Sequence, residues 1–140
     1  VRLGGQHLLT GAILAAILLA LAASVTSGAS SLKITNCVKA SARPKTLTLT
    51  CGDGNTVLSG LRWSSFGAAS ARAHGTFAMN TCNPNCAQGK VVRYPVAVKA
   101  SDPRGCKGSL RVYDKLTLQF TGRSPSSAAS LKRWTLGCPT

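Results

Sequence analysis

Six cysteines constrain this chain of 140 residues more than any other feature: Cys37, Cys51, Cys82, Cys86, Cys106 and Cys138. An even count in a small exported chain reads as a disulfide framework. Six cysteines allow fifteen connectivities, and sequence cannot choose among them. Pairing Cys106 with Cys138 would tie the final strand back to the body, and this pairing is preferred. The other four can join as Cys37 with Cys51 and Cys82 with Cys86, or cross. In Asn80-Thr81-Cys82-Asn83-Pro84-Asn85-Cys86-Ala87-Gln88-Gly89, two cysteines bracket turn-forming residues, which predicts a covalent clamp at the end of a β-hairpin. A zinc site built from Cys82, Cys86 and two other ligands, His74 being one candidate, is the rival reading of this spacing. An oxidising compartment and the lack of a second closely spaced pair oppose it, so no metal or cofactor is expected.

The N-terminal part carries a different signal. Arg2 precedes an apolar run from Leu8 to Ala23, broken only by Thr10, and the small residues Ser24, Ser27, Gly28 and Ala29 follow. That order is the pattern of a secretory signal peptide, with cleavage expected after Ala22, Ala23 or Ala29. The run of about 16 residues is shorter than the roughly 20 that span a bilayer, which favours cleavage over an uncleaved anchor. The expected division is a signal helix in residues 1–29 and an exported domain in residues 30–140, secreted or held at the cell envelope.

Beyond the leader, apolar and polar residues alternate in short runs. Leu32, Ile34 and Val38 share one face of a first strand. Thr46-Leu47-Thr48-Leu49-Thr50 alternates strictly and places Cys51 on the apolar side, where a buried disulfide belongs. Gly52-Asp53-Gly54-Asn55 is a turn. Leu61 and Trp63 then face one way, as do Ala71, Ala73, Gly75, Phe77 and Met79 in the next run, and Val92, Tyr94, Val96 and Val98 after the clamp. Pro95 places that strand at an edge or a bulge. Ser101 to Gly105 reads as a turn. Leu110 to Phe120 and Leu131 to Cys138 read as the last strands, with a Ser/Pro/Ala loop between them. Seven or eight short strands and no helix predict an all-β domain: a small disulfide-stapled β-sandwich, of which the immunoglobulin-like arrangement is one form.

Charge narrows the function. Lys and Arg number 17 against three acidic residues, all Asp, for a net charge of +14. Such a chain is drawn to polyanions, in a salt-sensitive way. Without Glu, a carboxylate pair must come from Asp53, Asp102 and Asp114, the first two in turn contexts. A Ser-His-Asp triad can be drawn from Ser64 or Ser65, His74 and Asp53, but no nucleophile-elbow motif supports it, and no enzyme activity is expected. Trp63 and Trp134 read as core residues rather than sugar-stacking platforms. The alternation instead puts Arg62, Arg72, Arg93, Lys99, Arg111, Lys115 and Arg133 on polar strand faces. They are expected to form one cationic face for anionic cell-wall polymer or lipid headgroups, on a monomer. Export argues against nucleic acid as the native partner. The alternatives are a secreted protease inhibitor or protein-binding effector, engaging a partner through Thr81 to Ala87 or the Arg104-Gly105 turn, and, more remotely, an enzyme.

The motifs Cys51-Gly52-Asp53-Gly54-Asn55, Leu61-Arg62-Trp63-Ser64-Ser65-Phe66, Asn80-x-Cys82-x-Pro84-x-Cys86-Ala87-x-Gly89 and Tyr94-Pro95-Val96-x-Val98 together resemble a family of small secreted actinobacterial, mycobacterial-type proteins. Phe66 stands where many of those proteins carry Trp. The resemblance covers about half of the exported part. It implies an actinobacterial source and export, and it carries over no catalytic residue.

Overall fold

Alternating strands with one apolar side must bury that side, and a single sheet can do so only by curling or by being covered. The computed structural model describes residues 31–140, and both devices are present. The signal segment expected in residues 1–29 lies outside the described residues. Six antiparallel strands form the main sheet in chain order: β3 (Leu47–Thr48), β4 (Thr56–Phe66), β5 (Ser70–Asn80), β6 (Val91–Gly105), β7 (Arg111–Phe120) and β8 (Arg133–Thr135). A small sheet of β1 (Ile34–Asn36) and β2 (Lys39–Ser41) accompanies it. The protein is all-β and disulfide-stapled, with two antiparallel sheets. The connectivity departs from the immunoglobulin-like form. Every neighbour in the main sheet is also a neighbour in sequence, so each strand folds back on the last without a crossover.

Glycines set the curvature of β4. Gly60 has φ of 61°, and the pairing slips between Ser59 and Arg62 and again between Trp63 and Ser65. Such slips are bulges, which bend a strand and increase its twist. Opposite the first slip lies Gly75, where a Cβ would stand 2.8 Å from the Ser59 carbonyl oxygen and 2.9 Å from Leu61 Cδ2. The missing side chain is therefore what lets Leu61 turn inward. The inner face buries Leu47, Leu58, Leu61, Phe77, Val96, Val98, Leu116 and Leu118, and Leu32 and Ile34 pack into the same core. Each large side chain so buried contributes roughly 1.5–3 kcal/mol.

The N-terminal hairpin spans the two margins of the curled sheet. The Lys33 amide donates to the Arg111 carbonyl at 3.0 Å and the Tyr113 amide to the Lys33 carbonyl at 3.1 Å, which attaches it to β7. On the other margin the Asn36 side chain stands in for a strand. Its Oδ1 accepts from the Thr48 amide at 2.9 Å and its Nδ2 donates to the Thr46 carbonyl at 3.4 Å. The Cys37–Cys51 bridge fixes this contact covalently, and Cys106–Cys138 ties the start of β7 to the chain after β8. Cys82–Cys86 closes the tip between β5 and β6. Three disulfides fit an oxidising, extracellular-type environment. No helix among the described residues is long and apolar enough to cross a membrane.

Several local expectations change. Cys51 is exposed, not buried, because the chain leaves the sheet after Thr48. Val38 is also exposed, since it occupies the turn between β1 and β2 and not a strand face. Residues 101–105 continue β6 instead of turning, and the loop after β7 contains a four-residue helix, Ala128–Leu131. Pro95 does lie at an edge, as expected: it pairs with β5, and β6 begins to pair with β7 only one residue later, at Val96 and Phe120. There it accepts from the Thr121 amide, and its missing N–H falls on the side where the partner strand is ending.

Two expectations follow for stability. The bridges close loops with sequence separations of 32, 14 and 4. Loop-closure entropy then ranks their removal at about 4, 3 and 2 kcal/mol for Cys106–Cys138, Cys37–Cys51 and Cys82–Cys86. Urea unfolding of the three double Cys→Ser variants checks the order. Tyr113 is fully buried, with its hydroxyl donating to the Gly67 carbonyl, and burial raises its pKa above the ordinary 10.0. The unfolded chain loses this proton first as pH rises, so stability falls above about pH 10. Phenolate absorbance should show one of the two tyrosines titrating late, and Tyr113→Phe should remove that step and flatten the loss of stability.

Candidate polyanion-binding face

The registers decide which polar residues share the outer surface. Arg72 is opposite Lys99, Lys99 is opposite Thr117, and Thr117 is opposite Arg133. These side chains are all exposed, while their strand neighbours Ala71, Ala73, Val98, Ala100, Leu116 and Leu118 are buried. One row therefore crosses four strands on the outer face. Adjacent strands lie about 4.8 Å apart, so Lys99 is about 5 Å from Arg72 and about 10 Å from Arg133, measured between backbones. Like charges set directly opposite one another destabilise a sheet, and Arg72 faces Lys99 with no carboxylate in the row.

The remaining cations expected on this face divide. Arg62 is opposite His74, and His74 is opposite Ala97, which puts Arg62 and His74 in the row next to Arg72. Arg93, opposite Ala78, is on the same face but six residues along β6 from Lys99, roughly 20 Å. Lys115, opposite Ser101, stands beside the row. It is held by Asp102 at 2.5 Å, and this hydrogen bond and the charge attraction raise its pKa above the ordinary 10.5. Arg111 does not join. Asp102 adopts φ of 55° and interrupts the pairing opposite Asp114. Across that break the inside–outside phase changes: Lys115 is exposed, yet Tyr113 points into the core against Phe66. Arg111 instead lines a separate hollow with Arg43, Phe66 and Gly67.

All three carboxylates are engaged. Asp102 pairs with Lys115, and Asp114 pairs with Arg104 at 3.0 Å. Asp53 accepts from the Asn55 amide at 3.0 Å and from its Nδ2 at 2.9 Å, which lowers its pKa below the ordinary 3.8. The triad drawn from the sequence is not assembled. Asp53 sits in the turn before β4, near the Asn80 end of β5, since the Asn80 amide donates to the Asn55 carbonyl. His74 lies six residues away along β5, about 20 Å. The two tryptophans pack on the inner side, and each indole N–H is used: Trp63 donates to the Pro44 carbonyl at 2.9 Å and Trp134 to the Leu131 carbonyl at 2.7 Å.

The tip between β5 and β6 is held by its own polar groups. Asn80 Oδ1 accepts from the Cys82 amide, Asn80 Nδ2 donates to the Cys86 carbonyl, and Asn85 bonds both the amide and the side chain of Gln88. A Cβ at Gly89 would fall 2.0 Å from Asn80 Oδ1, so only glycine fits there. The clamp is a structural tip, apart from the cationic row. The Asp102 ion pair escaped the sequence reading, since Asp-Pro signalled a turn where β6 in fact continues. Comparison with protein-family models, curated proteins and solved structures found no match.

Proposed function

We propose that this is a secreted, non-catalytic binding protein whose outer sheet face takes anionic polymer or lipid headgroups of the cell envelope. One observation carries the reading: the row Arg72–Lys99–Thr117–Arg133, with two cations directly opposed and no acid among them. An arrangement that repels itself in the free protein is relieved when an anion binds across it. Small neutral residues, Ser65, Ala97, Ser101 and Thr135, lie beside the row together with Arg62, His74 and Lys115, so an extended polyanion meets further cations and no carboxylate except Asp102, which is already paired with Lys115. The disulfides, the apolar run in residues 8–23 and the signal-peptide pattern support export as the route to such a ligand. The row crosses four strands of sheet surface with a hollow only at its Thr117–Arg133 end, an extended shape that suits a polymer or a membrane surface better than a small molecule.

Each cation near an anionic surface contributes about 1 kcal/mol at moderate salt. The variant Arg72→Thr/Lys99→Thr/Arg133→Thr should therefore bind vesicles containing anionic lipid, or purified anionic wall polymer, roughly 100-fold more weakly, with a shallower salt dependence. A variant of equal charge loss away from the row, Lys39→Thr/Lys45→Thr/Lys107→Thr, should lose much less. Equal loss in both would show that net charge alone governs binding and would sink the reading. Asp102→Asn tolerates the same backbone conformation and releases Lys115, so it should bind about fivefold more tightly.

A further inference from the structure

Among the described residues, β6 is internal over most of its length but runs on at its start with no neighbour on one side. From Val96 to Gly105, β6 lies between β5 and β7. From Val91 to Tyr94 it pairs only with β5, because β7 ends at Phe120 and the chain turns away beside Pro95 through Gly122 and Arg123. The phase of this edge follows from two hydrogen bonds. The Pro95 carbonyl accepts from Thr121, on the β7 side, so the backbone groups of Arg93 and Val91 point the same way. Consistently, Asn80, which is opposite Val91, turns its amide away from β6 to the Asn55 carbonyl. Val91 and Arg93 thus present their N–H and C=O groups, spaced as in a ladder, toward the open side. No backbone or side-chain hydrogen bond to them from that side occurs among the described residues.

What flanks this edge selects the occupant. A cleft of about 510 Å³ runs beside it, lined by Val91, Val92, Arg93, Tyr94, Arg123 and Ser124. Its walls offer two guanidinium groups, an aromatic ring and an exposed valine, 51 % accessible, and no carboxylate. Asp102 and Asp114 lie toward the far end of β6 and are already paired, and Asp53 is tied to Asn55. Pairing edge to edge with a second copy would bring together two chains of net charge +14. Of the other margins, β2, β3 and β8 are strands of only two or three residues, too short to template pairing, and the Arg62–Phe66 part of β4, which β3 does not reach, is bent by bulges, which spoil an edge as a template. We propose that the Val91–Tyr94 edge is a docking site for an extended acidic peptide segment of a partner protein. The segment would add to the sheet as a strand in the line that β7 vacates. Its backbone bonds to Val91 and Arg93, and its carboxylates meet Arg93 and Arg123.

The test is amide hydrogen exchange by NMR on the exported protein, with an acetylated, amidated hexapeptide of alternating glutamate and valine as the probe. In the free protein, Val91 and Arg93 amides exchange at least tenfold faster than those of Val92 and Tyr94. Saturating peptide slows Val91 and Arg93 by tenfold or more and leaves the Cys82–Cys86 tip unchanged. Arg93→Glu/Arg123→Glu weakens binding at least tenfold, and the milder Arg93→Thr/Arg123→Ser at least threefold. A peptide methylated on alternate backbone nitrogens, or one with lysine for glutamate, does not bind. The proposal is overturned if the methylated peptide binds equally well or the two amides stay unprotected at millimolar peptide. Protection that grows with protein concentration alone, which assigns the edge to self-association, also overturns it. So does binding that the Arg72, Lys99 and Arg133 threonine variant abolishes while the Arg93 and Arg123 variants retain it, since it then belongs to the outer row.

Discussion

The uninterrupted pairing of β5 with β6 is the constraint on which the molecule depends. Eleven consecutive residue pairs run from Ser70 with Ser101 to Asn80 with Val91. A slip of one residue would exchange the faces of every side chain on either strand. Held in place, this register sends Ala71, Ala73, Phe77, Val96, Val98 and Ala100 into the core and Arg72 and Lys99 to the opposite surface. The hydrophobic effect fixes the inner face and thereby dictates, with no attraction between them, that two cations stand side by side outside. The outer row follows from the core, and its self-repulsion is tolerated because burial on the other side outweighs it.

A meander of this kind has margins, and margins of sheets pair promiscuously. Here they are closed by separate means. Asn36 extends the ladder from β1 to β3 with a side chain, Lys33 extends it to β7 with backbone, and Cys37–Cys51 secures the junction. Cys106–Cys138 holds the short β8 region in place, where the Leu136 amide also bonds the Asp114 carbonyl. Two of the disulfides therefore act where backbone pairing is thinnest, at the two- and three-residue strands, and the third, Cys82–Cys86, closes the tip between β5 and β6 outside their paired length. Among the described residues, the Val91–Tyr94 segment has neither device, and the bulged Arg62–Phe66 part of β4 is another stretch that β3 does not reach.

Much of this was legible in the sequence where one residue type meets one constraint. The alternation over Ala71 to Met79 and Val92 to Val98 identified the inner residues, because a period of two leaves no other face for them. The clamp at Cys82–Cys86 was read from its turn residues. What alternation cannot supply is register between strands, since it says which side a residue faces and not which residue it meets. That Arg72 meets Lys99, and that Arg133 falls into line two strands away, needed the structure. Local conformation misled at Asp102-Pro103, where an αL residue inside a strand imitates a turn signal, and the phase change it causes is why Arg111 left the row. Cys51 misled for a related reason: strict alternation in Thr46 to Thr50 outlasts the actual strand, Leu47–Thr48.

The electrostatic account reduces to placement. Three carboxylates serve two ion pairs and one turn, and the outer row is left to cations and neutral residues. A chemical-shift map recorded while a short polyphosphate is titrated into the domain tests this most directly. The account predicts that perturbations follow Arg72, Lys99, Thr117 and Arg133 across four strands, with Lys39, Lys45 and Lys107 unmoved. Perturbations of similar size at all exposed lysines and arginines would contradict it, because they would mean that the row does nothing that net charge alone does not.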